Sequence, residues 1–542
     1  MAAADPGSVD ALIVGAGHNG LVCACYLAAA GLRVRVLEKR GVVGGAAVTE
    51  EFFPGFRNST ASYTVSLLNP TVIRDLRLVE RGLVIVERPF SNFVPLPDGR
   101  FLQFGGDADA TKREVAKFSA RDAQALEAYY ARLDRLADQL KKWVLRAPPN
   151  LGGPLVVEGL RDAMAAARLL LDFGALPSAG KRDLMDVFTK SAGHWLDATF
   201  ESEPLKAVLG WDSVVGNYAS PYAAGSAYVL LHHCFGEVNG KAGRWGHALG
   251  GMGRITELMA DEARARGVQI DLGHGVQRVL VERGAAVGVL TDRGEEIRAR
   301  SVVSNVHPQL LYKRLIDASV LPAEFREAIG RYRSGSGSLR INVALSALPD
   351  FACAPGTTPM PHHASGIVFA PSLAYMDRAW VDAQAQGFSA QPIVEMMIPS
   401  VVDDSLAPKG AHVASLFCQQ FKPEADWDQL KEHAVQAVFD VVQAHCPNFR
   451  ASLLGYRALT PLDLEREFGL MVATSSTGSC RSTSCSPCGL CSATRATVDR
   501  CAGCITVVRA PTPGAASPGR PATTPRPKSG AIWREATGLI NT

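Results

Sequence analysis

The sequence predicts an α/β protein built around a nucleotide-binding βαβ unit whose sheet is completed from far downstream. Three observations predict it. A G-x-G-x-x-G runs from Gly15 to Gly20 between an apolar strand and a small-residue helix; a second strand ends in an acid at Glu38; and a strand meander lies near residues 275–305.

The first strand is the apolar run Ala11–Val14, which ends at Gly15. Then come Gly15, Ala16, Gly17, His18, Asn19 and Gly20, followed by the helix Leu21–Ala28, stopped by Gly31. The run Val34–Leu37 is the second strand, closed by Glu38. Gly15 permits the tight turn, Gly17 lets the backbone approach a pyrophosphate, and Gly20 lets the helix pack on the sheet. The helix N-terminus offers free N–H groups and a positive dipole end to phosphate. Glu38 accepts hydrogen bonds from ribose hydroxyls, and its charge disfavours a 2′-phosphate.

The next segment favours FAD over NAD. Lys39 follows the acid, and Gly44, Gly45 and Ala46 place a glycine pair just beyond it. In flavoproteins with this βαβ unit such a pair lies under the ribityl–pyrophosphate, where side chains would clash. Downstream, Gly250-Gly251-Met252-Gly253 precedes a helix from about Arg254 to Arg266. Val276–Val281 alternates like a strand, Gly288–Leu290 follows, Asp292-Arg293-Gly294 is a turn, and Val302–Asn305 is expected to rejoin the first sheet. The cofactor domain is thus built from discontinuous segments.

Composition narrows the function classes. The chain has 542 residues, 47% of them hydrophobic, which supplies material for two or three packed cores. No apolar run approaches the ~20 residues that span a bilayer, so no transmembrane segment is expected. The start, Met1–Gly7, carries an acid and neither Arg nor Lys, which points to a cytoplasmic protein. The net charge of +3 is unevenly spread, since residues 471–542 hold eight basic and two acidic residues, leaving 48 basic against 51 acidic in 1–470. Such a body gives no basic surface for nucleic acid.

Residues 471–531 are rich in Ser, Thr, Cys, Pro, Gly and Arg and show neither helical nor strand period. Six of the twelve cysteines lie here, and Cys485, Cys488, Cys501 and Cys504 have zinc-ribbon spacing. The six in the body read as reduced core thiols.

The body resembles the phytoene-desaturase-like FAD oxidoreductases, and within them the subgroup named for a pyridine nucleotide-disulfide oxidoreductase domain. The stretches that carry the resemblance are Gly15–Gly20, Gly44–Glu51, Glu201–Lys206, Ser220–Glu237, Gly250–Gly253, Val302–Pro308, Leu339–Ala344 and Leu459–Leu470. It spans residues 8–470 and implies a second, mixed-sheet substrate domain with a helical cap. It also implies that the backbone at Val276 meets the adenine. The implied division is 1–75 and 236–310 for the FAD-binding domain, 76–235 and 311–470 for the cap and substrate domain, and 471–542 for an aberrant tail. Animal members of the subgroup imply a mitochondrial matrix location as the alternative to the cytoplasm.

The resemblance also explains the tail. Family members continue with a second glycine-rich loop and helix that close over the flavin. Codons permitted for Ala502–Arg526, read one frame over, give GLHHCGSGAHPGGGVTGAAGHNAA, which is that segment. Residues 471–542 therefore read as a frame-shifted, disordered tail, the zinc-like spacing as an accident, and no metal site is expected.

Functionally, the sequence predicts an FAD-dependent dehydrogenase or desaturase acting on an apolar small molecule. The alternative is a non-catalytic flavin-fold protein that acts through partners. A disulfide mechanism is not expected, because Cys23 and Cys25 are two apart on a helix and face different directions. His232 and His233 stand equally as pocket lining or as packing. His362 and His363 read as loop residues, and Arg340 as a strand-edge charge rather than a pocket cation. The catalytic residues, substrate, electron acceptor and oligomeric state are not legible.

Overall fold

The computed structural model describes residues 9–144, 149, 157–332 and 337–471, together with the backbone of two short strands, 498–501 and 505–509. β1 (Val9–Val14), α1 (His18–Ala29) and β2 (Val34–Glu38) form the expected βαβ unit. Leu12 and Ile13 are both fully buried although they point to opposite faces of β1. That is why this strand reads as a continuous apolar run rather than an alternating one.

Four strands of this sheet are parallel, in the order Gln269–Leu272, β2, β1, Glu296–Ser304. The strands Ala285–Thr291 and Val276–Glu282 continue it as an antiparallel meander. The Rossmann sheet is thus assembled from residues 9–38 and 269–304. Glu296–Ser304 is one nine-residue strand, where the sequence pattern showed only the fragment from Val302. Its first half pairs with the meander and its second half with β1. α1 and the helix Met252–Ala265 share one core beneath the sheet through Leu21, Cys25, Leu258 and Met259.

A second sheet of seven strands runs Leu453–Leu459, Ser338–Leu345, His412–Gln419, Ile393–Met397, Gly366–Phe369, Asn92–Pro95, Phe101–Phe104. One face packs on the helix Trp427–His445 through Trp427, Val438 and Phe439, each at most 1% exposed. Burial of each such side chain contributes roughly 1.5–3 kcal/mol. Beside this sheet lies a helical cap that includes Ala120–Val144, Glu203–Trp211 and Ser226–His233, with Leu133, Leu205, Leu230 and Trp211 in a common core. Among the described residues no helix is long and apolar enough to cross a membrane.

Three expectations need correction. Arg340 is not at a strand edge: its strand is flanked on both sides, and the residue is 2% exposed. His362 and His363 are not in an irregular loop. They form a buried single turn, in which His362 stacks near Phe93 and His363 is hydrogen-bonded through Nε2 to the Pro349 carbonyl. Finally, the tail is not without strands. Ile505–Arg509 runs antiparallel along Ser301–Ser304, with Val498–Cys501 outside it. The β-branched run Ile505–Val508 suits the otherwise open edge of that parallel strand. The rest of the frame-shifted segment, and the side chains of its four zinc-like cysteines, lie outside the described residues.

Candidate active site

The glycine motif builds a cradle that side chains would fill. Gly15 has φ of 98°, and a Cβ on Gly17 would stand 2.8 Å from Asn305 Nδ2. On Gly20 it would stand 2.2 Å from the Gly15 carbonyl. Gly17 is the N-cap of α1, and no side chain caps that helix. The positive end of the α1 dipole is thereby directed at the cradle. His18 is exposed and Asn19 half-buried at this end.

The second loop closes on the first. Gly17 and Gly44 are bridged in parallel, the Gly44 amide donates to the Ala16 carbonyl at 2.9 Å, and a Cβ on Gly45 would meet Gly17 Cα at 3.3 Å. Glu38 is 8% exposed, and its two carboxylate oxygens accept from the amides of Ala16 at 2.8 Å and Arg40 at 2.9 Å. Each oxygen keeps capacity for a second donor such as a ribose hydroxyl. The His274 amide donates to the Glu38 carbonyl at 2.8 Å, and a Cβ on Gly275 would lie 3.3 Å from Lys39 Cγ. Val276, which pairs with Thr291, is thereby brought to the Glu38–Lys39 end of the cradle. The structure thus brings the loop Gly15–Gly20, the end of β2 at Glu38 and the turn at Gly44–Gly45 into mutual contact. The glycine surfaces, the helix N-terminus and the acid fit FAD.

From Ala46 the chain leads straight to a buried polar cluster. β3 (Thr49–Phe53) and β4 (Phe56–Ser59) form a hairpin. Residues 60–62 then fold back, the Thr60 amide donating to Val48 at 2.9 Å and the Ser62 amide to Ala46 at 2.8 Å. Tyr63 comes next, and its hydroxyl donates a short hydrogen bond to Glu395 Oε2. Glu395 Oε1 takes the Arg88 guanidinium at 3.4 Å, with side-chain exposures of 2% and 5%. Arg88 also reaches Thr64 Oγ1 at 3.1 Å and lies over the Trp245 ring. Arg340 lies 4.8 Å from the Tyr63 ring and 5.4 Å from that of Phe417, and burial pulls its guanidinium down to about 10.

Asp212 borders this cluster at the end of the helix Glu203–Trp211. Desolvation, reinforced by the charge of Glu395 and opposed by Arg88, pushes its carboxyl up to about 7. His233 stacks on Trp245 with ring centroids 5.8 Å apart, and its Nδ1 lies 2.9 Å from the Val229 carbonyl. Burial holds it below the ordinary imidazole range. His232 turns instead toward Tyr228 and Phe235, and burial lowers it to about 4. The histidine pair is therefore split, with only His233 beside the cluster.

Sequence reasoning missed Tyr63, Arg88, Asp212 and Glu395. They share no motif spacing, and the one trace is Glu395 as the lone charge in Ile393–Met397. The body cysteines are free thiols, and burial pushes Cys25 up to about 12, far from the thiolate that disulfide exchange requires. Among the described residues no group of three His, Cys, Asp or Glu side chains is placed to hold a metal ion.

Asp403, in the segment after Ile393–Met397, is tied to the turn that precedes the helix Met252–Ala265. It accepts from the Gly250 amide at 2.7 Å, and its Oδ2 lies 2.9 Å from His247 Nε2. Gly250 opens the turn into the helix Met252–Ala265, whose Gly253 amide donates to Thr49 Oγ1 at 2.8 Å. Burial works against the charge of Asp403, yet hydrogen bonds from His247, Ser405 and Gly250 hold it down at about 2.

Comparison with known proteins agrees with this geometry. The family model described as flavin containing amine oxidoreductase matches residues 20–341. The rat pyridine nucleotide-disulfide oxidoreductase domain-containing protein 2 is 39% identical over 482 residues, covering 85% of this chain and 83% of the relative. A limonene dehydrogenase component from Castellaniella defragrans is 27% identical over 315 residues, covering 57% of this chain and 53% of the relative. In fold, the chain is similar to the crystal structure of an oxidoreductase from Methanosarcina mazei, with a TM-score of 0.54 at 17% identity over 83% of this chain and 88% of the other. The chain belongs to the family of flavin-containing amine oxidoreductases, and it is an FAD-dependent oxidoreductase.

Proposed function

We propose that the protein is a dehydrogenase of the desaturase type, removing hydrogen from a carbon–carbon bond of a largely apolar small molecule. One observation carries this reading: the polar cluster beyond the glycine loop is set into an apolar wall. Tyr63 packs against the core that contains Trp211, Leu230 and Phe417, and Phe417 lies 4.7 Å from the Tyr63 ring. A substrate entering there meets rings and aliphatic chains, and water is excluded from the reacting carbon. The similarity to a relative named for the hydrocarbon limonene points the same way.

Bound FAD supplies the two-electron acceptor. The chain's own residues position the substrate and accept the one hydrogen that leaves carbon as a proton. Asp212, titrating near neutral pH, is suited to take it as a general base. Arg88, Glu395 and Tyr63 hold the wall rigid through their mutual hydrogen bonds.

The test is anaerobic mixing of the holoprotein with limonene and related alkenes, and separately with primary amines, while the oxidised flavin band is followed. Bleaching by an alkene and not by an amine is expected. Bleaching by amines alone would overturn the desaturase reading.

A further inference from the structure

Arg340 is a buried cation that the described residues leave uncompensated. The cluster contains one carboxylate within ion-pair distance of a cation, and that cation is Arg88, not Arg340. Arg88 takes Glu395 Oε1 and the Tyr63 hydroxyl takes Oε2. Among the described residues, the one hydrogen bond of the Arg340 side chain runs from Nη2 to the neutral Ser415 Oγ, at 2.7 Å. Its Nε and Nη1 atoms are buried and without a partner among the described residues, which leaves three N–H donors open. Burying a charged group without a counter-ion is among the costliest arrangements a fold can keep. The Tyr63 and Phe417 rings offset part of that cost and also hold the guanidinium in place.

The direction in which those donors point follows from the strand. Asn342, two residues on and therefore on the same face, donates to the Ser59 carbonyl at 3.0 Å and accepts from Asn58 Nδ2 at 3.0 Å. That face looks toward residues 58–63, the segment that leaves the glycine cradle. Arg340 thus stands on the cofactor side of the second sheet, and not on the side covered by the helix Trp427–His445.

We propose that Arg340 receives an anionic oxygen group in the cleft, and that this group is the carboxylate head of the otherwise apolar substrate. The proposal deepens the desaturase reading and rests on it for the apolar body. The same donors would also suit the negative charge that develops on a reduced isoalloxazine, so the experiment separates the two sources.

Decanoate and decanamide are titrated into the oxidised holoprotein, and binding is read from the perturbation of the flavin spectrum. The wild type is expected to bind the acid about tenfold or more tightly than the amide, the preference a charge-assisted contact gives. Arg340→Met should abolish that preference, and Arg340→Lys should retain part of it. Because the methionine removes an uncompensated charge, its ligand-free melting temperature should equal or exceed that of the wild type. Should it fail to fold, the lysine variant carries the comparison, and an undiminished preference there overturns the proposal. Equal binding of acid and amide by the wild type overturns it, as does a preference that survives in Arg340→Met. A dithionite titration distinguishes the second source. If the midpoint potential falls in Arg340→Met while the wild type shows no acid preference, the anion is the reduced flavin and the substrate carboxylate is excluded. None of these measurements needs turnover, so failure of the alkene assay leaves them interpretable.

Discussion

Arg88 and Glu395 meet at 3.4 Å in an ion pair whose side chains are 5% and 2% exposed. They come from distant parts of the chain. Gly366 makes room for them, since a Cβ there would lie 2.6 Å from both Arg88 Nη1 and Glu395 Oε1. Breaking a buried pair strands its partner. Arg88→Met should therefore destabilise the protein by about 3–5 kcal/mol. Arg88→Met combined with Glu395→Leu should recover much of that loss, because both charges are then gone. Urea unfolding of the single and double variants decides it; additive losses would mean that the pair is not the coupled unit described.

Flavin binding depends on a missing side chain. Valine at position 17 would place its Cβ 2.8 Å from Asn305 Nδ2 and fill the space expected to admit the pyrophosphate. Gly17→Val should purify folded but colourless. A yellow Gly17→Val protein would show that the cofactor lies elsewhere.

Cys25 should be silent in the reaction. Its thiol is fully buried and pushed up to about 12 by desolvation. Cys25→Ser should leave the rate of flavin reduction unchanged. A thiolate-to-flavin charge-transfer band that disappears in the variant would contradict this.

These three predictions differ in how visible they were in the sequence. The cradle was legible because its constraint is local: Gly15, Gly17 and Gly20 lie within six residues and Glu38 at the end of the next strand. The order β1, α1, β2 was likewise written in short-range patterning. The polar cluster was not. Tyr63, Arg88, Asp212, Arg340 and Glu395 come together only through two sheets and a cap helix, and no spacing along the chain encodes that. Arg340 was misjudged for the same reason. A charge at the head of an apolar run looks like an edge until neighbours are known on both sides of the strand. In the tail, the prolines and glycines around Ile505–Arg509 hid a β-branched run that does form a strand, paired along Ser301–Ser304.

The tail yields its own prediction. A chain that continues after Leu470 in the shifted reading regains a glycine-rich loop and a helix whose N-terminal N–H groups would face the flavin. Such an end stabilises negative charge on a reduced ring. The frame-restored chain should hold FAD about tenfold or more tightly than this one, as measured by flavin retention on dilution. Equal retention, with zinc bound at Cys485, Cys488, Cys501 and Cys504, would make the tail a genuine domain.

Proton transfer should leave a signature in the pH dependence of reduction. The Asp212 carboxyl is raised to about 7, so its base form accumulates only as pH passes that value. The rate of anaerobic flavin reduction by substrate should therefore rise through about 7 and level off above it. Asp212→Asn should lower the plateau by roughly a hundredfold, the contribution typical of a positioned base, and flatten the limb. An unchanged limb in that variant would assign the titration to another group.

The last prediction concerns acid and the contact of Asp403 with His247 and Gly250. Asp403 titrates near 2 in the folded protein, below its ordinary 3.8, because His247, Ser405 and the Gly250 amide hydrogen-bond its charged form. A carboxylate whose folded pKa is depressed contributes stability that is fully present above the unfolded value. That stability is lost as pH falls through the folded one. The difference corresponds to about 2 kcal/mol at neutral pH, disappearing between pH of about 4 and about 2. Asp403 is 5% exposed, so solvent screening takes little from this figure. Its partner Gly250 sets the start of the helix Met252–Ala265, which is tied to β3 through Gly253 and Thr49. Loss of this contact should therefore loosen the glycine loop that ends at β3, and FAD with it. Asp403→Asn should reduce stability at neutral pH by about 2 kcal/mol and remove this part of the acid dependence. It should also release flavin at a higher pH than the wild type does. Denaturant unfolding and flavin fluorescence, followed together from neutral pH downward, read both effects. A variant whose acid profile parallels that of the wild type would show that Asp403 is not the group that couples this turn to the cofactor.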